Sequence, residues 1–178
     1  MSDPLAFSLA AALQFAGYQW SVIPMRARDK RPLIKWREYQ HRLATATEIN
    51  EWYRKWPEAN VGIVTGAISG LVVLDIDPRH DGEHSLAQWE KTYEPLPLSV
   101  ESRTGGGGRH VYFQHPGGVI HNRVGIVAGI DLRGDGGCVV APPSIHSSGQ
   151  AYTWVKGHEP GTLALAELPD WLLTLVKD

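Results

Sequence analysis

The stretch LVVLDIDPRHDG, Leu71 to Gly82, constrains the fold most. Its continuous apolar run, rich in β-branched residues, reads as a strand buried on both faces. Strand period then puts Asp75 and Asp77 on one face, about 6.6 Å apart, with Leu74 and Ile76 on the other. Two carboxylates beside a buried strand are costly as bare charges. The remedies are paired cations, raised pKa values or metal ions. Hard oxygen donors suit Mg²⁺ or Mn²⁺, and two such ions roughly 3.5–4 Å apart can be bridged by acids on one strand face. The alternative is that Asp77-Pro78 ends the strand, with Asp77 as a turn residue.

Length and charge narrow the options. The 178 residues, 43% of them hydrophobic, suit one domain with one sizeable core, spanning 1–178. With 17 Lys and Arg against 19 Asp and Glu, the net charge of -2 supplies no global field toward nucleic acid or membrane, so any polyanion must be held locally. Cys138 is the only cysteine, which excludes an internal disulfide or a cysteine zinc site and fits a reducing compartment. The first residues carry no basic leader, and no apolar run reaches the ~18 residues of a membrane span. A soluble, cytoplasmic, membrane-free protein is expected.

Along the chain, Asp3 and Pro4 open a helix that Gly17 closes. "WSVIPMRARDKRPLIKW" reads as a strand followed by a basic loop in which Lys30, Arg31 and Lys35, with Trp36 interleaved, suit nucleotides or a single strand. A solvated loop is the plainer reading. Thr45 and Glu48 are spaced as a capping box, and Ile49, Trp52, Tyr53 and Trp56 as one core-facing helical side. Gly66 and Gly70 mark a turn between "NVGIV" and "LVVLDID", so those two strands are expected to pair. "HSLAQWEKTY" and "LPDWLLTLVKD" read as helices, and "RHVYFQH", "VGIVAGIDLRG" and "CVVAPPSIHSSGQAYTW" as β-rich pieces.

Two further pieces carry chemistry. In "SRTGGGGRHVYF" four consecutive glycines feed His110, and glycine amides can approach an anion such as a phosphate chain closely. No Walker loop is present, because the lysine and the helix are missing. A flexible hairpin turn is the alternative. In "VAGIDLRGDGG", Asp131 sits between Ile130 and Leu132 with Arg133 on its own face, so a third acid could complete a metal site.

The ordered set of acid pair, Gly-Gly-x-His and lone Asp resembles the prim-pol domain of the archaeo-eukaryotic primase superfamily, of the kind found in plasmid and phage replication proteins. "KRPLIKW", "NVGIVTGAISGLVVLDIDPRHDG", "TGGGGRHVYF", "GIDLRGDGGCVVAPPSIHSSGQAYTW" and "LPDWLL" follow that family in order. The resemblance implies an α+β fold: an RRM-like antiparallel sheet carrying the acids, beside a smaller N-terminal αβ lobe. It implies that Asp75, Asp77 and Asp131 hold two Mg²⁺ or Mn²⁺ ions, and that His110 contacts the phosphates of the incoming nucleotide. Many members have Ser-x-His there. Here Gly108 precedes Arg109 and His110, so a backbone amide or Arg109 would have to replace the hydroxyl. Arg103, Arg133, Ser144 and His146 follow as further nucleotide contacts by proximity to the motifs.

The implied activity is template-directed nucleotidyl transfer with nucleoside triphosphates, single-stranded DNA template and primer, in a bacterial or phage-infected cell. A helicase region or partner is also implied, with this chain as a domain excised from a longer replication protein. Two other classes stay open. A haloacid-dehalogenase-type phosphatase would use Asp75 as nucleophile and Asp77 as acid, although Pro78 and Arg79 stand where a Thr belongs. The other is a non-catalytic DNA-binding initiator module.

Overall fold

The computed structural model describes residues 4–177. In chain order its elements are α1 (Pro4–Gly17), β1 (Ser21–Met25), α2 (Ala46–Lys55), β2 (Asn60–Val64), β3 (Leu71–Ile76), α3 (Gly82–Thr92) and β4 (Glu101–Arg103). Then come β5 (Arg109–Gln114), β6 (Arg123–Val127), β7 (Ile130–Arg133), β8 (Cys138–Ala141), β9 (Thr153–Trp154) and α4 (Asp170–Lys177). No helix among the described residues is long and apolar enough to cross a membrane.

Local signals act as the sequence implies. Pro4 opens α1 and Gly17 closes it, while Asp3 lies outside the described residues. At α2 the Thr45 hydroxyl accepts from the Glu48 amide and the Glu48 carboxylate accepts from the Thr45 amide. This reciprocal cap satisfies two donors that a helix start leaves open. Ile49 and Tyr53 are then buried, while Trp52 and Trp56 pack at the margin of the same cluster.

The fold is α+β, with two sheets antiparallel throughout: β1-β2-β8, and β6-β7-β3-β5-β4-β9. Alternation along β3 divides the core. Leu71 and Val73 join Phe15, Trp20, Ile49, Val61 and Tyr112 between the sheets. Val72, Leu74 and Ile76 face Leu86 of α3 and Leu172 and Val176 of α4. Each such side chain, fully buried, contributes roughly 1.5–3 kcal/mol, which fixes the register of β3 and hence the direction of its acids.

Three features depart from the sequence reading. The strands flanking Gly66 and Gly70 do not pair; only a Gly66–Leu71 bridge joins them, and the turn carries the chain from one sheet to the other. Ser69 stabilises that crossing, because its Oγ accepts from the Ser21 amide and donates to the Val64 carbonyl. The small lobe is also not wholly N-terminal, since β8 pairs along β2. Finally β4, which the sequence reading did not separate from the glycine run, is a strand of the large sheet.

Candidate active site

One line of residues crosses the large sheet at right angles to its strands. Asp131 of β7 stands opposite Asp75 of β3, Asp75 opposite His110 of β5, His110 opposite Ser102 of β4, and Ser102 opposite Trp154 of β9. Residues directly opposite share a face, so all five look toward the small lobe.

Arg133 and His110 tie the acids together. Arg133 Nη2 lies 2.9 Å from Asp131 Oδ2 and 3.4 Å from Asp75 Oδ2, and His110 Nε2 lies 3.4 Å from Asp75 Oδ1. The amide of Gly125, at the β6 irregularity, donates to Asp131 Oδ1 at 2.7 Å. Burial alone would raise the Asp75 pKa. The His110 hydrogen bond and the charges of His110, Arg133 and Lys30 outweigh it and hold the carboxyl below its ordinary value.

Asp77 continues past the end of β3 on the same side. It caps the turn Pro78–His80, accepting from the Arg79 amide at 2.9 Å, and also faces Arg79 Nη2 at 3.1 Å and His80 Nδ1 at 3.0 Å. The Arg79 side chain, followed by its amide and His80, overcomes burial and depresses the Asp77 pKa strongly. Asp77 is therefore a turn residue and also a carboxylate lining the same cleft as its strand partner. Among the described residues no three carboxylate, imidazole or thiol groups are placed so as to hold a metal ion between them; Asp75 and Asp131 share Arg133, and Asp77 is turned toward Arg79.

Two adjoining chambers meet at this line. One, of about 300 Å³, has Asp75, His110, Arg133, Lys30, Trp36 and Tyr152 among its lining residues and is backed by Met25, Val139 and Val140 of the small sheet. The other, of about 830 Å³, takes in Asp75, Asp77, Asp131, Arg133 and Lys30 with the β6–β7 hairpin. Asp75, Arg133 and Lys30 border both. Around the smaller chamber, burial and then the Asp75 charge push the Tyr152 hydroxyl up to about 12, and burial raises the Cys138 thiol to about 11.

Several residues expected at the site lie elsewhere. Arg109 falls on the opposite face of β5, where its guanidinium meets Glu101 at 2.7 Å and Glu83 at 3.0 Å. Arg103, directly opposite Arg109, shares that face. The Gly108 amide is committed to Thr104 Oγ1 at 2.8 Å, closing an ordered β4–β5 turn in which Gly107 also donates to the Thr104 carbonyl. Two of the glycines there serve packing: a Cβ on Gly105 would come 2.2 Å from His146 Cβ, and one on Gly108 2.7 Å from the Ile76 carbonyl. His146 lies against this turn, with burial and the Lys30 and Arg79 charges lowering its pKa. Ser144 is buried and tied to the Val61 backbone of β2. In the basic loop Lys30 and Trp36 reach the chambers, whereas Arg31 is paired with Asp29 at 2.6 Å and Lys35 lines neither chamber.

Two residues escaped the sequence reading. Ser102 supplies, from the neighbouring strand, a hydroxyl beside His110 where neither Gly108 nor Arg109 does. Ser102 Oγ, His110 Nδ1 and the Tyr112 hydroxyl are buried without a protein hydrogen-bond partner. Pairing residues evenly about the Thr104–Gly108 turn would have brought Ser102 to His110; nothing local in the sequence marks Tyr152.

The sequence matches the model of the family described as bifunctional DNA primase/polymerase, N-terminal (Prim-Pol), over residues 12–171. The chain belongs to the Prim-Pol family. No individually curated protein matches it significantly. The matched region runs from α1 into α4 and contains the whole transverse line. A Prim-Pol domain has a DNA primase/polymerase-type role in replication, with nucleotides as substrates and DNA as template.

Proposed function

We propose that this Prim-Pol domain is a template-directed nucleotidyltransferase in which Asp75, Asp77 and Asp131 hold two divalent cations, Mg²⁺ or Mn²⁺. The observation that carries the reading is the line Asp131–Asp75–His110 set where two chambers meet. The donor chemistry fits. Three carboxylates bordering one chamber are hard oxygen ligands of the kind these ions take. The chemistry such ions supply is activation of a primer 3′-hydroxyl and neutralisation of charge on the departing pyrophosphate.

The rest falls to side chains of the domain. Arg133 and Lys30, bordering both chambers, are positioned to bind a triphosphate laid across their junction. His110, on the Asp75 carboxylate, positions the same phosphates. The smaller chamber, walled by Trp36 and Tyr152 and backed by apolar β1 and β8, suits the nucleoside. The larger, open one suits the primer end. Electrostatic clamping of this kind needs acids and bases converging in one cleft. With a net charge of -2 and one basic loop, template binding is expected to be weak and strongly salt-dependent, which leaves a role for a helicase region or partner.

Labelled nucleoside triphosphates, Mn²⁺ and a primed template separate the readings by product: polymer, free phosphate or nothing. Asp75→Ala, Asp77→Ala and Asp131→Ala should each abolish incorporation with circular dichroism unchanged. Near-normal extension by any one of them removes that acid from the site.

A further inference from the structure

Asp75 and Asp131 are directly opposite on adjacent strands and face the same side. Like charges in that relation repel, and neither strand can slip to relieve them without turning its apolar residues out of the core. Arg133 sits two residues beyond Asp131 on the same strand face, with one guanidinium nitrogen reaching both carboxylates, at 2.9 and 3.4 Å. We infer that Arg133 is a built-in counter-ion which occupies the charge position between Asp75 and Asp131 and must be displaced when a divalent cation binds there.

This rests on the reading that the acids take divalent cations, and it adds an order to loading. Arg133 borders both chambers, so its guanidinium, once freed, has a triphosphate within reach. A nucleotide that draws Arg133 away makes the carboxylates better ligands. By linkage a bound cation then tightens nucleotide binding by the same factor. Asp77 is held by Arg79 and His80 instead, so the exchange concerns only the Asp75–Asp131 pair.

The test is Mn²⁺ binding to the whole chain, read by electron paramagnetic resonance without nucleotide, in wild type, Arg133→Met and Arg133→Lys. Removal of the competing side chain should tighten Mn²⁺ binding about fivefold or more in Arg133→Met. Arg133→Lys separates displacement from simple charge, because it keeps a positive charge but loses the guanidinium whose Nη2 lies between the two carboxylates. Tighter binding than wild type in the lysine variant supports the inference; binding equal to wild type overturns it. Thermal melts give a second readout: Arg133→Met should melt below wild type in chelator and gain more from Mn²⁺ than wild type does. Asp75→Asn controls for the site. If all arginine variants bind equally and Asp75→Asn does not bind, the metal site stands and the counter-ion role falls. If wild type and both arginine variants all fail to bind, both fall.

Discussion

Ser144 tests whether a motif residue acts on substrate or on the fold. Its proximity to the family motifs implied a nucleotide contact. In the structure its side chain is 1% exposed, and its Oγ accepts from the Val61 amide at 2.8 Å and faces the Val61 carbonyl at 3.4 Å. Val61 is itself fully buried in the middle strand of the small sheet, so no solvent can replace the lost acceptor. Ser144→Ala leaves a buried amide unpaired, at a cost of about 1–3 kcal/mol. For a protein of this length each kcal/mol moves the midpoint about 2–4 °C, so the melt should shift down by roughly 2–12 °C. Nucleotide KM, measured well below the new midpoint, should stay within about threefold of wild type, a difference of under ~1 kcal/mol. The reasoning is refuted by the opposite pattern, an unchanged Tm with a KM raised tenfold or more.

Other perturbations separate the remaining roles. His110→Ala should raise nucleotide KM about ten- to a hundredfold, the cost of one charged phosphate hydrogen bond at roughly 1.5–3 kcal/mol, with the Tm read in parallel. Gly105→Ala forces a Cβ to within 2.2 Å of His146 Cβ and 2.5 Å of the Gln150 carbonyl, so it should destabilise by about 1–3 kcal/mol in a urea titration. Asp75 and Asp77 both have pKa values lowered by folding, so each contributes stability that is complete above the unfolded value near ~4 and is lost as pH falls through the folded value. Melts from neutral to acid pH should therefore steepen below about pH 4, and Asp77→Asn should flatten that limb, modestly because the group is partly exposed. Primed template should be extended readily while unprimed template starts slowly, since initiation must immobilise two nucleotides and an unpaired strand together; equal rates would place a complete initiation site within this domain.

Much of this was legible because it is local. Thr45 and Glu48 carry their own capping geometry, and the apolar run Leu71–Ile76 reads as a strand, so the face of Asp75 follows from period, whereas Asp77 lies past the strand end as the cap of the next turn. Asp131 and Arg133 follow in the same way on β7. What could not be read depends on pairing between distant strands. The Gly66–Gly70 turn has hairpin residues but crosses between sheets, because β2 finds its partners in β1 and in β8, far along the chain. Arg109 is adjacent to His110 in sequence and therefore on the opposite face of β5, where Glu101 and Glu83 claim it. Adjacency in a motif is a poor guide to shared location when the motif lies on a strand.

The position of β3 explains why the site is assembled from separate motifs. A central strand has a neighbour on each side, so one residue of β3 can be opposed by Asp131 from β7 and by His110 from β5 at the same time. An edge strand could recruit only one of them. The same residue is preceded and followed by Leu74 and Ile76, both fully buried on the other face, so a slip of one position would turn apolar side chains toward the cleft and the acid into the core. The hydrophobic burial that stabilises the sheet is thus also what fixes the carboxylate and imidazole against each other. Mutations on the α3–α4 side of β3 should accordingly disturb the site through register, although they touch none of its polar groups.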